Sequence, residues 1–321
     1  MPGVALKGIT GAAPQDAFAV LPWFEPFGID GDQLERVIAR LVQAPYAYRP
    51  IGLARHGLRP LPPGAPQGMV LEGYLLDLRV ALVVRPVDGQ MHLVGACPVL
   101  GFGTDVEARV ERVLLAPNGL QALVEVTVGG YLDVTYLDPH FAAHRGHYHA
   151  GAHHGLRLVA LALSVDTADP PPLQVPAGAA GLEALARHLV SDTPGGPAGP
   201  RGAEPPGATV TLHFGQMKLF LPRPDVAPHC VTIRGPVVER REWPPGGVLG
   251  QRFWYLRLVC AEDMGDGRPD ILLDVAVPQA LLGDGEPPEI GSFVAAVALV
   301  QGQVVRPDTP GAAADATGTE K

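Results

Sequence analysis

The segment Asp138 to Gly155, DPHFAAHRGHYHAGAHHG, carries six of the chain's 11 histidines: His140, His144, His147, His149, His153 and His154. Imidazole is the commonest transition-metal ligand and titrates near neutral pH, so this density raises metal chemistry first. The spacings limit it. His140 and His144 stand four apart, as on one face of a helical turn, but no glutamate lies between them to act as a general base. His147-x-His149 followed by His153 could gather Zn or Ni, with Asp133 and Asp138 as nearby carboxylates, but no acid–base residue sits at a catalytic offset. The segment therefore reads as an exposed, solvated loop. The alternative is a metal site on His147, His149 and His153, and an enzyme using the His140–His154 loop is the further step from it.

A second chemistry-bearing stretch is REWPPGGVLGQRFWYLRL. Alternate residues of a strand share a face, so Phe253, Tyr255 and Arg257 point one way and Trp254, Leu256 and Leu258 the other. The all-apolar set suits a core. Two aromatics and a guanidinium on the outward face have the composition of a base-stacking platform. Arg234 and Thr232 of the preceding strand, and Arg240, Arg241 and Trp243 of the intervening hairpin, would extend it. The competing use of the same residue types is packing against another part of the chain. The matching positions of the first half, Glu107, Arg109, Glu111, Glu125 and Thr127, are mostly acidic. That composition repels a phosphate backbone and suits a scaffold or a protein-partner surface.

These residues are positioned by short elements. Gly 40 and Pro 35 in 321 residues, with 47% hydrophobic residues, describe a globular chain rich in turns and poor in long helices. Residues 1–67 read as an irregular arm with apolar anchors (Leu21, Trp23, Phe24 and Phe27) followed by a helix over 31–43, N-capped by Asp30. Residues 68–165 alternate as strands, with turns at Val87-Asp88-Gly89 and Pro117-Asn118-Gly119. Residues 166–208 are a Pro/Gly/Ala linker with one short helix candidate, LEALARHLV. Residues 209–306 form a second β region, and 307–321 a disordered tail.

The two β regions repeat one order of parts. VEARVERVLL, ALVEVTV and YLDVTYL precede a loop and GLRLVALALSV; VTIRGPVVERR, FWYLRLV and ILLDVAVP precede a loop and GSFVAAVALVQGQV. Three strands, a non-strand connection and a glycine-started strand resemble the OB-fold barrel. The likeness is strongest over about residues 229–305, through Val231-x-Ile233-x-Gly235-x-Val237 and Gly291-x-x-Val294-x-Ala296-x-Ala298. It is a resemblance to OB-fold nucleic-acid-binding proteins at the level of the fold alone. It implies a mainly β chain of two OB-like barrels, one per half, that binds single-stranded nucleic acid through the second; a β-sandwich is the alternative.

The net charge of −9 argues against a broad duplex-binding surface. Cys97, Cys230 and Cys260 form no even framework and no CxxC pair, and no leader-like or 18-residue apolar run occurs, which points to a cytoplasmic protein. The acidic balance and the apolar arm also fit an assembly subunit that docks on a partner, or on itself, through the arm. No P-loop, GxGxxG or GxSxG is present, so the expectation is a binding protein without enzymatic activity.

Overall fold

A computed structural model describes residues 9–12, 21–34, 36, 38, 49–51, 68–75, 78–87, 90–116, 119–167, 173–176, 209–212, 217–243, 251–261, 267, 270–283 and 285–307. The chain is mainly β. In order its elements are β1 (Ile9–Ala12), α1 (Leu21–Phe24), β2 (Arg49–Ile51), β3 (Met69–Leu75), β4 (Leu78–Val87), β5 (Gln90–Pro98), β6 (Thr104–Leu115), β7 (Ala122–Val128) and β8 (Leu132–Leu137). Then follow α2 (Phe141–His144), β9 (His153–Asp166), β10 (Leu173–Pro176), β11 (Thr209–Leu212), β12 (Leu219–Pro222) and β13 (Cys230–Glu242). The last are β14 (Phe253–Ala261), β15 (Ile271–Pro278), α3 (Gln279–Leu282) and β16 (Phe293–Pro307). Among the described residues no helix is long and apolar enough to cross a membrane.

The repeated order of parts is the organising feature. β6, β7 and β8 pair antiparallel in sequence, and β9 returns to pair antiparallel with β6. β13, β14 and β15 do the same, with β16 returning to β13. Four strands leave each sheet open, and the closing strand comes from the other half. β16 lies antiparallel to β9 and touches β8 in parallel at Gln301 and Leu137. Reciprocally, β9 lies parallel to β15 at Val159, Ala160 and Leu161. Each barrel thus has the OB connectivity, yet each is completed by the continuation of the other's fourth strand. At about 3.3 Å per residue a strand of this length spans roughly 45–50 Å, enough to serve two barrels. The mainly β fold with two OB-like barrels is as the sequence indicates, and the sharing of long strands is added by the structure, because a sequence pattern shows that a strand is long but not that it serves two sheets.

The β1–β6 contact and the β12–β13 contact extend this ten-stranded assembly. The first β region is also divided. β2, β3, β4 and β5 form their own four-stranded antiparallel sheet, whereas the sequence assigned 68–165 to a single barrel. Hairpin signals identify neighbouring strands without saying which hairpins share a sheet. β10 and β11 pair within and beside the expected linker. The turn at 88–89, the helix candidate LEALARHLV and the tail beyond Pro307 lie outside the described residues.

Strand alternation separates two cores. Inside the barrels pack Val124, Val126, Leu156, Leu158, Ala160, Leu256, Leu258, Val275, Val294, Ala298 and Val300. The intervening residues Leu123, Val159, Leu161, Phe253, Tyr255 and Leu299 face outward into a second core roofed by β4, β5 and the N-terminal arm. Burial on both faces makes the middle of β9 read as a continuous apolar run. The arm is held by α1, a 3-10 turn at Glu25–Phe27, and a capping box at the next helix. There Asp30 Oδ1 accepts from the Gln33 amide at 2.8 Å and Gln33 Oε1 from the Asp30 amide at 3.2 Å.

Gly235 marks a close approach of β13 to β14: a Cβ there would collide with the Val259 carbonyl oxygen. Since that neighbour is backbone within a barrel wall, Gly235→Val is expected to destabilise the chain by about 1–3 kcal/mol through overpacking. A denaturant titration checks this, and an unchanged midpoint would contradict the close crossing.

Candidate functional site

The aromatic stripe on β14 faces outward from its barrel as the alternation predicts, but it is not open. Phe253 and Tyr255 are fully buried. Phe27 of the arm stacks on Phe253 with centroids 4.8 Å apart, and Phe102 meets Tyr255 edge-on at 5.1 Å. Trp243, half-buried, packs on Phe102 at 4.4 Å. The expected base-stacking platform is therefore corrected to a packed layer. Alternation fixes which residues share a face, and the cover comes from residues more than a hundred positions away.

The cations of this face are also engaged. Arg257 donates from Nε to Asp274 Oδ1 (2.8 Å) and from Nη1 to Glu239 (2.8 Å), while Tyr255 donates its hydroxyl to Asp274 Oδ1 (2.7 Å). Burial, with Asp274 adding to it, pushes the Tyr255 phenol well above its ordinary value. Arg241 lies over the Tyr255 ring at 4.4 Å, and Arg240 donates to the carbonyls of Pro287 and Pro288. Arg234 is buried with its guanidinium 5.9 Å from the Phe293 ring centre. Thr232 lies beside Arg223. The arm, expected to reach a partner or a second copy, docks on its own chain: Trp23, Phe24 and Phe27 are buried, and Trp23 stacks on His229 at 5.3 Å. Burial alone pushes the His229 imidazole down to about 4.

The histidine segment is likewise more built than its sequence indicates. Asp138, buried, accepts from the His140 amide at 2.7 Å and from the Tyr148 hydroxyl at 2.6 Å, and its Oδ2 lies 3.0 Å from His144 Nδ1. His140, also buried, sets Nε2 against Glu72 of β3, and Glu72 accepts from Arg79 Nε of β4 at 2.6 Å. Burial pushes the Asp138 carboxyl up, but His144, His140 and Tyr148 outweigh it and hold it below the ordinary range. The same opposition, with His140 and Arg79 prevailing, brings Glu72 to about 2. For His144 burial opposes the charged form, and Asp138 and Glu72 together raise its pKa above the usual histidine value.

The three histidines named for metal do not share this network. His147 faces His154, whose Nε2 is 2.8 Å from the His147 carbonyl; His149 and His153 are exposed. Among the described residues no group of three or more His, Cys, Asp or Glu is placed to hold a metal ion. The segment is thus an ordered connection, and the exposed-loop expectation fails at His140 and His154.

One open concavity lies on the first barrel. A groove of about 420 Å³ is lined by Glu107, Arg109, Thr127, Gly129, Gly130 and His153. Around it, Arg109 pairs with Glu111 at 2.8 Å and Arg112 with Glu125. The Thr127 hydroxyl lies 2.9 Å from Glu111 and 3.0 Å from Asp133. The Thr127 hydrogen bond, then Arg109 and His153, keep the Glu111 carboxyl below its ordinary value. Four carboxylates thus face two guanidiniums across the strands β6, β7 and β8. Gly129 and Gly130, both at positive φ, form the turn at its rim; the Gly-Gly pair between two alternating runs was the signal available in the sequence.

The topology defines a mainly β protein built on two OB-like barrels that share their long strands. No protein-family model, curated protein or solved structure matches the chain.

Proposed function

We propose that this chain is a non-enzymatic binding protein whose first barrel engages a cationic protein partner through the outer face of β6, β7 and β8. One observation carries the reading. Of the two equivalent barrel faces, the aromatic one is covered by the chain itself, and the acidic one is left open with a groove in it. In the OB fold the second and third strands and their flanking loops commonly form the ligand face. Arg240, Arg252 and Arg257 of the second barrel are engaged by carboxylates or carbonyls, which supports a protein partner over the single-stranded nucleic acid that the stripe first suggested. The three cysteines are free and buried, in keeping with work in a reducing compartment such as the cytoplasm.

The test is fluorescence anisotropy across a salt series with a labelled polybasic peptide and a labelled single-stranded DNA. The peptide is expected to bind and to weaken as salt screens the face. Glu107→Lys combined with Glu111→Lys should lower its affinity by about tenfold, near 1.4 kcal/mol. Binding of DNA without peptide would restore the nucleic-acid reading, and binding of neither would end both.

A further inference from the structure

We propose that the Asp138–His144 and Glu72–His140 pairs form a proton-controlled clasp that holds the four-stranded sheet against the first barrel and loosens as His144 loses its proton. The clasp joins two sheets that share no strand pairing. Glu72 and Arg79 belong to β3 and β4 of the small sheet; Asp138, His140 and His144 belong to the connection between the third and fourth strands of the barrel. The rings of His140 and His144 are 5.8 Å apart, so the two pairs are one cluster. Beside the clasp, next to Arg79 and Leu137, the small sheet is also held by a neutral side chain. Gln301 of β16 donates to the Pro98 carbonyl at 2.6 Å and accepts from the Leu100 amide at 3.3 Å. One attachment therefore depends on protons and its neighbour does not, so loss of the proton should weaken the first and leave the second in place.

The charged and titratable groups at the clasp are Glu72 on β3, Arg79 on β4, Cys97 on β5, Tyr136 on β8, and Asp138, His140, His144 and Tyr148 on the connection. Cys97 and the two tyrosines are pushed up by burial and stay neutral. His144 charged gives Asp138 a counter-ion 3.0 Å away; His144 neutral removes that counter-ion from a buried carboxylate. The signs follow from linkage. His144 is raised, so its contribution is complete below the ordinary histidine value and is lost as pH rises through the folded one. Glu72 and Asp138 are lowered, so theirs are present above the ordinary carboxylate values and lost only in strong acid. The clasp is tightest between about pH 5 and 6.5 and weakens above it.

Hydrogen exchange of the full chain, corrected for intrinsic rates, reads this directly. From about pH 6 to about pH 9 the amides of β3 and of 138–148 should lose protection. β13 should keep its own. The ring-proton resonance of His144 should titrate with a midpoint above about 6.5, and His144→Gln, which retains a donor for Asp138 but no proton to lose, should flatten the response. A flat wild type, a response unchanged in His144→Gln, a midpoint at or below the ordinary value, or equal loss at β13 would each overturn the clasp.

Discussion

Asp138→Ala is expected to lower the stability of the folded chain by about 3 kcal/mol. Asp138 is a buried acceptor for three groups: the His140 amide, the Tyr148 hydroxyl and the His144 ring. Removing it leaves the buried His140 amide without an acceptor, at about 1–3 kcal/mol, leaves the Tyr148 hydroxyl with Tyr136 alone, and strands a cation that must shed its proton or move to water. Asp138→Asn keeps the shape and an acceptor, so it should cost roughly half as much. Urea unfolding followed by tryptophan fluorescence measures both. The loss should also shrink above the titration of His144, because the neutral ring is then no stranded charge. If the alanine variant unfolds within about 0.5 kcal/mol of the wild type, the segment is the solvated loop its composition describes, and the network contributes nothing to the fold.

How far the sequence reached can be followed through particular residues. The order of strands in the two halves was legible because each strand signals itself through period-two burial and its neighbours through turn residues. Asp30 was legible as an N-cap because the cap is local, and Gln33 completes it from within the same turn. The sorting of β14 into an inner and an outer face was legible for the same reason, with Leu256 and Leu258 in the barrel and Phe253 and Tyr255 outside. What fills the space outside a face is long-range. Phe27, Phe102 and the small sheet are brought there by tertiary packing that no local pattern encodes. The exchange of fifth strands is long-range too, since the length of β9 and β16 shows in the sequence but their double use does not. The histidine run misled because histidine counts as a wet residue. Tyr136, Asp138 and Tyr148 in the same stretch were the available sign of a buried network, whereas its partner Glu72 lies on another sheet.

Tyr255→Ala should destabilise the chain by about 3–5 kcal/mol, as a large-to-small change at a fully buried site. The substitution removes the ring that Phe102 and Arg241 pack on and the hydroxyl that Asp274 accepts from. Tyr255→Phe isolates the second part. Asp274 keeps Arg257 as a donor, so losing the hydroxyl should cost only about 1–1.5 kcal/mol. The neighbour Trp254 supplies the contrast. It sits half-exposed at the barrel end, donating to Gln279 at 2.6 Å with Arg252 over its ring, so Trp254→Ala should cost less than Tyr255→Ala, about 1–3 kcal/mol. A double-mutant cycle between Phe27 and Phe253 should give a coupling of about 0.5–1.5 kcal/mol, which an arm undocked in solution could not produce. The outcome that matters for function is the opposite one. If Tyr255→Ala leaves the unfolding midpoint unchanged and the cycle shows no coupling, the arm does not cover this face in solution. The second barrel then presents Phe253, Tyr255 and Arg257 to solvent, and single-strand binding becomes the first activity to measure on it.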